Sequence, residues 1–152
     1  MSETPREKTL AYLQSHNVMT LATTGPEGVW AAAVFYVNDE FSLYFLSAPT
    51  TRHSRNIAVN PSIAATVQED YKAWSQIKGI QLEGQACQIQ GDERAYAISR
   101  YGLKYPMIGN LAKAPMAIAK AMSRVVWYKV VPQRLYIIDN SISLGHRDEV
   151  PL

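Results

Sequence analysis

The pattern of hydrophobic and polar positions opens with a helix and then turns to strands. Thr4, Pro5 and Glu7 form a start signal: a threonine cap, a proline in the first turn and a glutamate three residues after the cap. Leu10 and Leu13 fall on one face with Tyr12 nearby, so the helix is expected to end near residues 15–17. Residues 18–23 are short and apolar, and Gly25-Pro26-Glu27-Gly28 is a turn by composition. Residues 29–37 are rich in β-branched, aromatic and small side chains. Asn38-Asp39-Glu40 reads as a tight connection, and residues 42–47 alternate around Leu43 and Phe45. These segments predict an antiparallel meander.

The period then changes. Residues 51–59 have helical character and carry Arg52, His53 and Arg55, and Asn60-Pro61 stops them. Residues 63–68 form a further strand. A charged, aromatic loop over 69–75 leads into a long strand over 76–90. There Ile77, Gly79, Gln81 and Glu83 alternate with Lys78, Ile80, Leu82 and Gly84, and Gly84 marks a bulge or a close backbone approach. A helix is expected over 92–100 with Asp92 near its cap. Pro106 and Pro115 divide the next stretch, and 115–122 is helical. Two last strands, 125–131 and 134–139, are joined at Pro132-Gln133, and an irregular tail ends the chain. The fold class is mainly β with flanking α: six to seven antiparallel strands with peripheral helices, in one domain over 1–152. Closure into a barrel would remove vulnerable sheet edges.

Composition narrows the function. With 47% hydrophobic and 18% charged residues the chain can build a packed core, which excludes a disordered segment. A net charge of +2 from scattered lysines and arginines argues against nucleic acid as a partner. No apolar run is long enough to span a bilayer, and MSETPREKTL lacks the apolar region of a secretory signal. The lone Cys87 excludes an intrachain disulfide, and its apolar setting predicts a buried thiol. The expectation is a cytoplasmic protein without a membrane partner. P-loop, nucleophile-elbow, HExxH and CxxC motifs are absent, and the histidines and cysteine show no metal-ligand spacing, so no metal is expected.

Two segments could carry chemistry. In residues 47–56 hydroxyls, an early-turn arginine and a histidine gather where a strand opens into a helix. Free amides there favour an anion, and arginine adds a forked, permanent charge. Thr50, Thr51, Arg52, His53 and Arg55 could therefore hold a phosphate. An ordinary capped helix with a solvated face uses the same residues. In residues 30–36, WAAAVFY, small side chains would let a flat ligand reach the backbone, or would simply pack a tight core strand.

In order, TLATTGPEGVW, VFYVNDEFSLYFLS, TTRHSRNIAVNPSIAATV and IKGIQLEGQACQI resemble the pyridoxamine 5′-phosphate oxidase-like FMN-binding split barrels. IKGIQLEG, the Trp30…Phe35-Tyr36 spacing, Thr51-Arg52-His53 and Asp139-Asn140…Leu144-Gly145 are similar to the YhbP-type bacterial branch. The resemblance implies a split β-barrel, a homodimer with the flavin site at the subunit interface, and FMN as cofactor. It implies that Ala33, Val34, Phe35 and Tyr36 line the isoalloxazine and that Leu46 and Ser47 lie beside the flavin and ribityl chain. Thr51, Arg52 and His53 would hold the phosphate, and Lys78, Gly79 and Gln81 would approach the cofactor. The implied activity is an FMN-dependent oxidoreductase with an unknown small organic substrate and no identified catalytic residue. Three departures point away from pyridoxamine phosphate: His53 replaces a lysine, Ala33 replaces an arginine, and the C-terminus lacks the basic, tryptophan-containing ending. Other readings are a deazaflavin protein, a non-catalytic flavin or haem binder with His16, His53 or His146 as axial candidate, and a cofactor-free dimeric interaction module.

Overall fold

The computed structural model describes residues 2–152. Helix α1, Pro5–Ser15, starts at the threonine cap: Thr4 Oγ1 accepts from the Glu7 amide at 3.1 Å, and Glu7 Oε2 accepts from the Thr4 amide at 2.9 Å. This reciprocal box satisfies two amides that the first turn leaves open. The strands follow as β1 Val18–Gly25, β2 Gly28–Phe35, β3 Val37–Asp39 and β4 Ser42–Ser47. Next come α2 Arg52–Val59, β5 Ser62–Gln68 and β6 Lys78–Ile89. Helices α3 Gly91–Lys104, α4 Pro106–Gly109 and α5 Met116–Met122 precede β7 Val126–Asp139 and β8 Arg147–Glu149.

The strands join in the order β2-β1-β5-β6-β7-β4-β3, every pair antiparallel, with β8 added to β7. The sheet curls into a split barrel. Alternation along each strand sends one set of side chains into the barrel. Met19 and Leu21 of β1, Ala65 and Val67 of β5, Ile80 and Leu82 of β6, and Leu43 and Phe45 of β4 meet Leu13 of α1 and Ile57 of α2 there. A second cluster forms where α3 covers the other face of β4 and the start of β7, around Tyr44, Ala97, Tyr101 and Trp127. Trp127 keeps only 2% of its surface exposed, which makes this patch the anchor of α3.

Four local expectations are corrected. The last two strands are one, β7. Pro132-Gln133 is a bulge and not a turn, because Glu83 pairs with Arg134 while Gly84 pairs with Pro132, leaving Gln133 unpaired. A proline is tolerated there because the bulge takes no ladder bond from it. Cys87 is exposed: it alternates outward beside the inward Ala86 and stands opposite Lys129. Asn38 and Asp39 belong to strand β3, and the chain turns at Glu40, whose φ is 51°. The tail is not irregular throughout, since 147–149 add a strand to β7.

Candidate cofactor site

Thr51 caps α2. Its Oγ1 accepts from the Ser54 amide at 3.2 Å, a bond of the kind that stabilises a helix by about 1 kcal/mol. The same hydroxyl lies 3.2 Å from Ser47 Oγ, and Ser47 Oγ lies 2.7 Å from His53 Nε2. Ser47, Thr51 and His53 are thus one buried chain of hydrogen bonds that fastens α2 to the end of β4. The Arg52 and His53 amides precede the first intrahelical bond and stay open, as helix geometry dictates.

Arg52 turns the other way, toward the β1–β2 hairpin. Its guanidinium carbon lies 4.5 Å from the Trp30 ring centroid, and Nη2 donates to the Glu27 carbonyl at 3.2 Å. Glu27 Oε2 is 3.9 Å from Nε, a long contact. The Nε atom is itself buried and has no hydrogen-bond partner. A buried donor left open is costly unless a ligand or water completes it.

Burial holds the His53 imidazole below its ordinary value of 6.5, so it serves as a neutral hydrogen-bonding group and adds no charge. The consequence for stability has a definite sign. Between the folded value and 6.5 the unfolded chain binds the proton and the folded chain does not, so stability rises with pH in that window. We expect the His53 contribution to the melting temperature to be flat above 6.5 and to fall as pH drops below it. His53→Gln should flatten this slope in thermal melts across pH 5 to 8; an identical slope would assign it to another group.

The strand residues divide by face. Ala33 stands opposite Thr20, Thr20 opposite Thr66, Thr66 opposite Gln81, and Gln81 opposite Tyr136. One row therefore runs over the outside of the barrel from β2 to β7. Beside it Ala31, Ala22 and Ala64 make a second row of small side chains. Phe35 and Val29 stand on this face, 56% and 79% exposed. The structure thus brings Ala33, Phe35, Gly79 and Gln81 to one flat surface.

It does not bring the rest there. Val34 and Tyr36 point inward; Tyr36 is fully buried and its hydroxyl donates to the Leu13 carbonyl at 2.8 Å. Lys104 Nζ sits 4.3 Å from the centre of that ring and donates to the His16 carbonyl, and burial lowers its pKa to about 8. Leu46 packs into the cluster under α3. Lys78 alternates to the other side of β6, where it lines a cavity with Lys8, Tyr12 and Asp139, and it also borders a second hollow with Thr66, Gly79 and Gln81. Sequence reading missed Thr20, Thr66 and Tyr136, because only the strand register aligns them with Ala33. It also missed that Trp30 and the Glu27 carbonyl hold Arg52.

A family model for pyridoxamine 5′-phosphate oxidase matches residues 5–139. The chain belongs to that family. A relative of the oxidase family, a UPF0306 protein of Photorhabdus laumondii, is 36% identical over 138 residues, covering 90% of this chain and 88% of its own. Among solved structures, a haem-binding protein from Mycobacterium smegmatis superposes with a TM-score of 0.77 at 21% identity over 99% of this chain, which spans 59% of that protein's length. HutZ, a haem storage protein from Vibrio cholerae, superposes with a TM-score of 0.70 at 19% identity, covering 88% of this chain and 94% of that one. The two structural likenesses show the split-barrel fold. Among the described residues no helix is long and apolar enough to cross a membrane.

The haem-related neighbours make the three imidazoles worth placing. His53 Nε2 is bound to Ser47 inside the protein. His16 stacks on Tyr12 with centroids 3.7 Å apart, and its Nε2 lies 3.0 Å from Glu69. His146 Nε2 lies 2.9 Å from Asp148. Each candidate axial nitrogen Nε2 is therefore engaged by a side chain. Tyr71 is an anchor, its hydroxyl 3.0 Å from that of Tyr12, while Trp74 is 76% exposed.

Proposed function

We propose that this member of the oxidase family binds FMN and uses it for redox chemistry on a small organic substrate. The observation that carries the reading is Arg52: a guanidinium with an unpartnered buried Nε, carried by the first residue of α2, whose first-turn amides are open. Fork and amides together suit a phosphate monoester. The double row that includes Ala33, Thr20 and Thr66 and, beside it, Ala31, Ala22 and Ala64 suits the flat ring, since these small side chains let a ligand come close to the strands. FMN, when bound, supplies hydride and electron transfer. The protein's part is to hold the phosphate at Arg52 and the Arg52 and His53 amides, and to keep water from the ring.

An exposed face bearing Phe35, Val29 and a double row of small residues is one a second copy of the chain can cover. A homodimer with the flavin at the shared face is part of the proposal. Haem has less support, because it needs an imidazole freed from Ser47, Glu69 or Asp148. Deazaflavin stays inside the same flat-ring reading, and a cofactor-free module predicts no stabilisation by FMN. A thermal melt tests the proposal: FMN at a hundred times its dissociation constant stabilises the folded state by about 2.7 kcal/mol, while haemin at the same concentration leaves the midpoint in place. A shift with haemin alone would transfer the site to haem.

A further inference from the structure

The net charge of +2 hides an asymmetry along the chain. Residues 94–138 hold eight of the fifteen lysines and arginines and none of the thirteen acids. Several of the eight are engaged within the fold. Arg100 meets Asp39 at 4.0 Å, Lys129 meets Glu93 at 2.9 Å and Arg134 meets Glu83 at 4.0 Å, while Lys104 turns inward to the His16 carbonyl. Lys113, Lys120 and Arg124 are exposed and have no ion pair among the described residues.

The same stretch, from the end of α3 through α5, presents apolar side chains to solvent. Leu103 is 82% exposed, Met107 55% and Met116 85%. Leu103, Met107 and Leu111 recur every fourth residue, and on α5 Met116 and Lys120 share one helical face. Other side chains of these helices do the anchoring: Ile108 and Met122 pack against the cluster around Trp127. A β-carbon on Gly102 would stand 2.7 Å from Gly109 Cα, so the two glycines let α4 lie tight against α3. Between these helices Ile98, Leu103, Pro106, Ile108 and Leu111 line a 560 Å³ hollow.

The chemistry of the patch selects its partner. The core of a protein interface is rich in tryptophan, tyrosine and arginine and poor in lysine. Here two of the three unpaired cations are lysines, whose compact, strongly hydrated charge suits a layer of headgroups. The protruding leucine and methionines carry no polar tip, and the hollow between α3 and α4 gives an acyl chain room. A basic, apolar-faced segment too short to span lies in the plane of the membrane interface.

We propose that the segment from the end of α3 through α5 is a docking surface for an anionic lipid bilayer. Leu103, Met107 and Met116 enter the boundary between headgroups and acyl chains, and Lys113, Lys120 and Arg124 meet the negative headgroups. The sequence expectation of no membrane partner concerns spanning segments, and surface docking needs none. The docking surface is independent of the flavin reading.

The test is co-sedimentation of the full chain with vesicles of phosphatidylcholine alone and of phosphatidylcholine mixed equally with phosphatidylglycerol. The expected result is binding at least tenfold tighter to the mixed vesicles, weakened at least tenfold in about 1 M salt, where the screening length is about 3 Å. Lys120→Glu should weaken it by about fivefold or more, since each cation near such a surface contributes about fivefold. Lys72→Glu, the same change of net charge in the exposed loop before β6, should leave it within twofold. Met107→Ser combined with Met116→Ser keeps every charge and should weaken it at least fivefold. The side chains exchanged are all exposed, so each variant should melt with the wild type. No binding to the mixed vesicles, equal binding to both kinds, or equal losses in Lys120→Glu and Lys72→Glu would overturn the proposal. So would charge-dependent binding that the methionine substitutions leave unchanged, which is the behaviour of a site for an acidic protein. A smaller oligomer in the double methionine variant by gel filtration would assign the patch to a second copy of the chain, and would overturn it as well.

Discussion

Gly84→Ala is expected to lower the unfolding free energy by about 3 kcal/mol, the upper part of the usual overpacking range. A β-carbon at this position would stand 2.2 Å from the Val131 carbonyl oxygen and 2.8 Å from Pro132 Cα. Both are backbone atoms, so no side chain can rotate out of the way. Alanine also restricts the unfolded chain, a gain of about 0.4–1 kcal/mol that is too small to reverse the sign. Gly79→Ala provides the comparison, since its nearest contact would be the Val67 carbonyl at 3.0 Å. We expect a smaller loss there. Urea unfolding checks this, with a lower midpoint and an unchanged slope for Gly84→Ala. A wild-type midpoint would mean that the bulge at Gln133 relaxes and does not set the bend of β7.

The second large effect concerns the ligand. Arg52→Ala is expected to weaken FMN binding by about 1.5–3 kcal/mol, roughly ten- to a hundredfold, the range for a charge-assisted hydrogen bond. Riboflavin, which lacks the phosphate, should bind wild type and variant alike. Folding stability should fall by only about 1 kcal/mol, because the ion pair with exposed Glu27 is long and the loss is that of the Trp30 cation–π contact and the bond to the Glu27 carbonyl. The three measurements separate the roles open to Arg52. An equal loss for FMN and riboflavin would show that Arg52 acts through Trp30 and the hairpin. An unchanged FMN constant would move the phosphate elsewhere.

Much of the architecture is legible in the sequence because it is local. The Thr4 box, the Gly25–Gly28 turn and the alternation in β6 depend on neighbouring residues, and each appears where the pattern puts it. Pro132-Gln133 misled for a physical reason. Proline fits a turn and a bulge alike, because neither takes a ladder bond from it, and only the pairing with Gly84 decides between them. Cys87 misled because it is itself apolar and shares its strand with Ala86 and Ile89, while its own side of the strand faces water. The site was less legible. Arg52 and Thr51 are readable as a helix start, but Leu46 and Ser47 are neighbours in sequence with opposite directions in space. Tyr136 reaches the outer face through the pairing of β6 with β7, which no single segment encodes.

The proposed cofactor of this chain is FMN. The most direct measurement is a titration of FMN fluorescence with purified, cofactor-free protein, repeated with riboflavin. Saturable quenching at one flavin per chain is expected, with FMN bound at least tenfold tighter than riboflavin, since the phosphate's charged contacts are worth more than about 1.4 kcal/mol. Absence of saturable quenching by FMN, or equal affinity for the two flavins, would contradict that assignment.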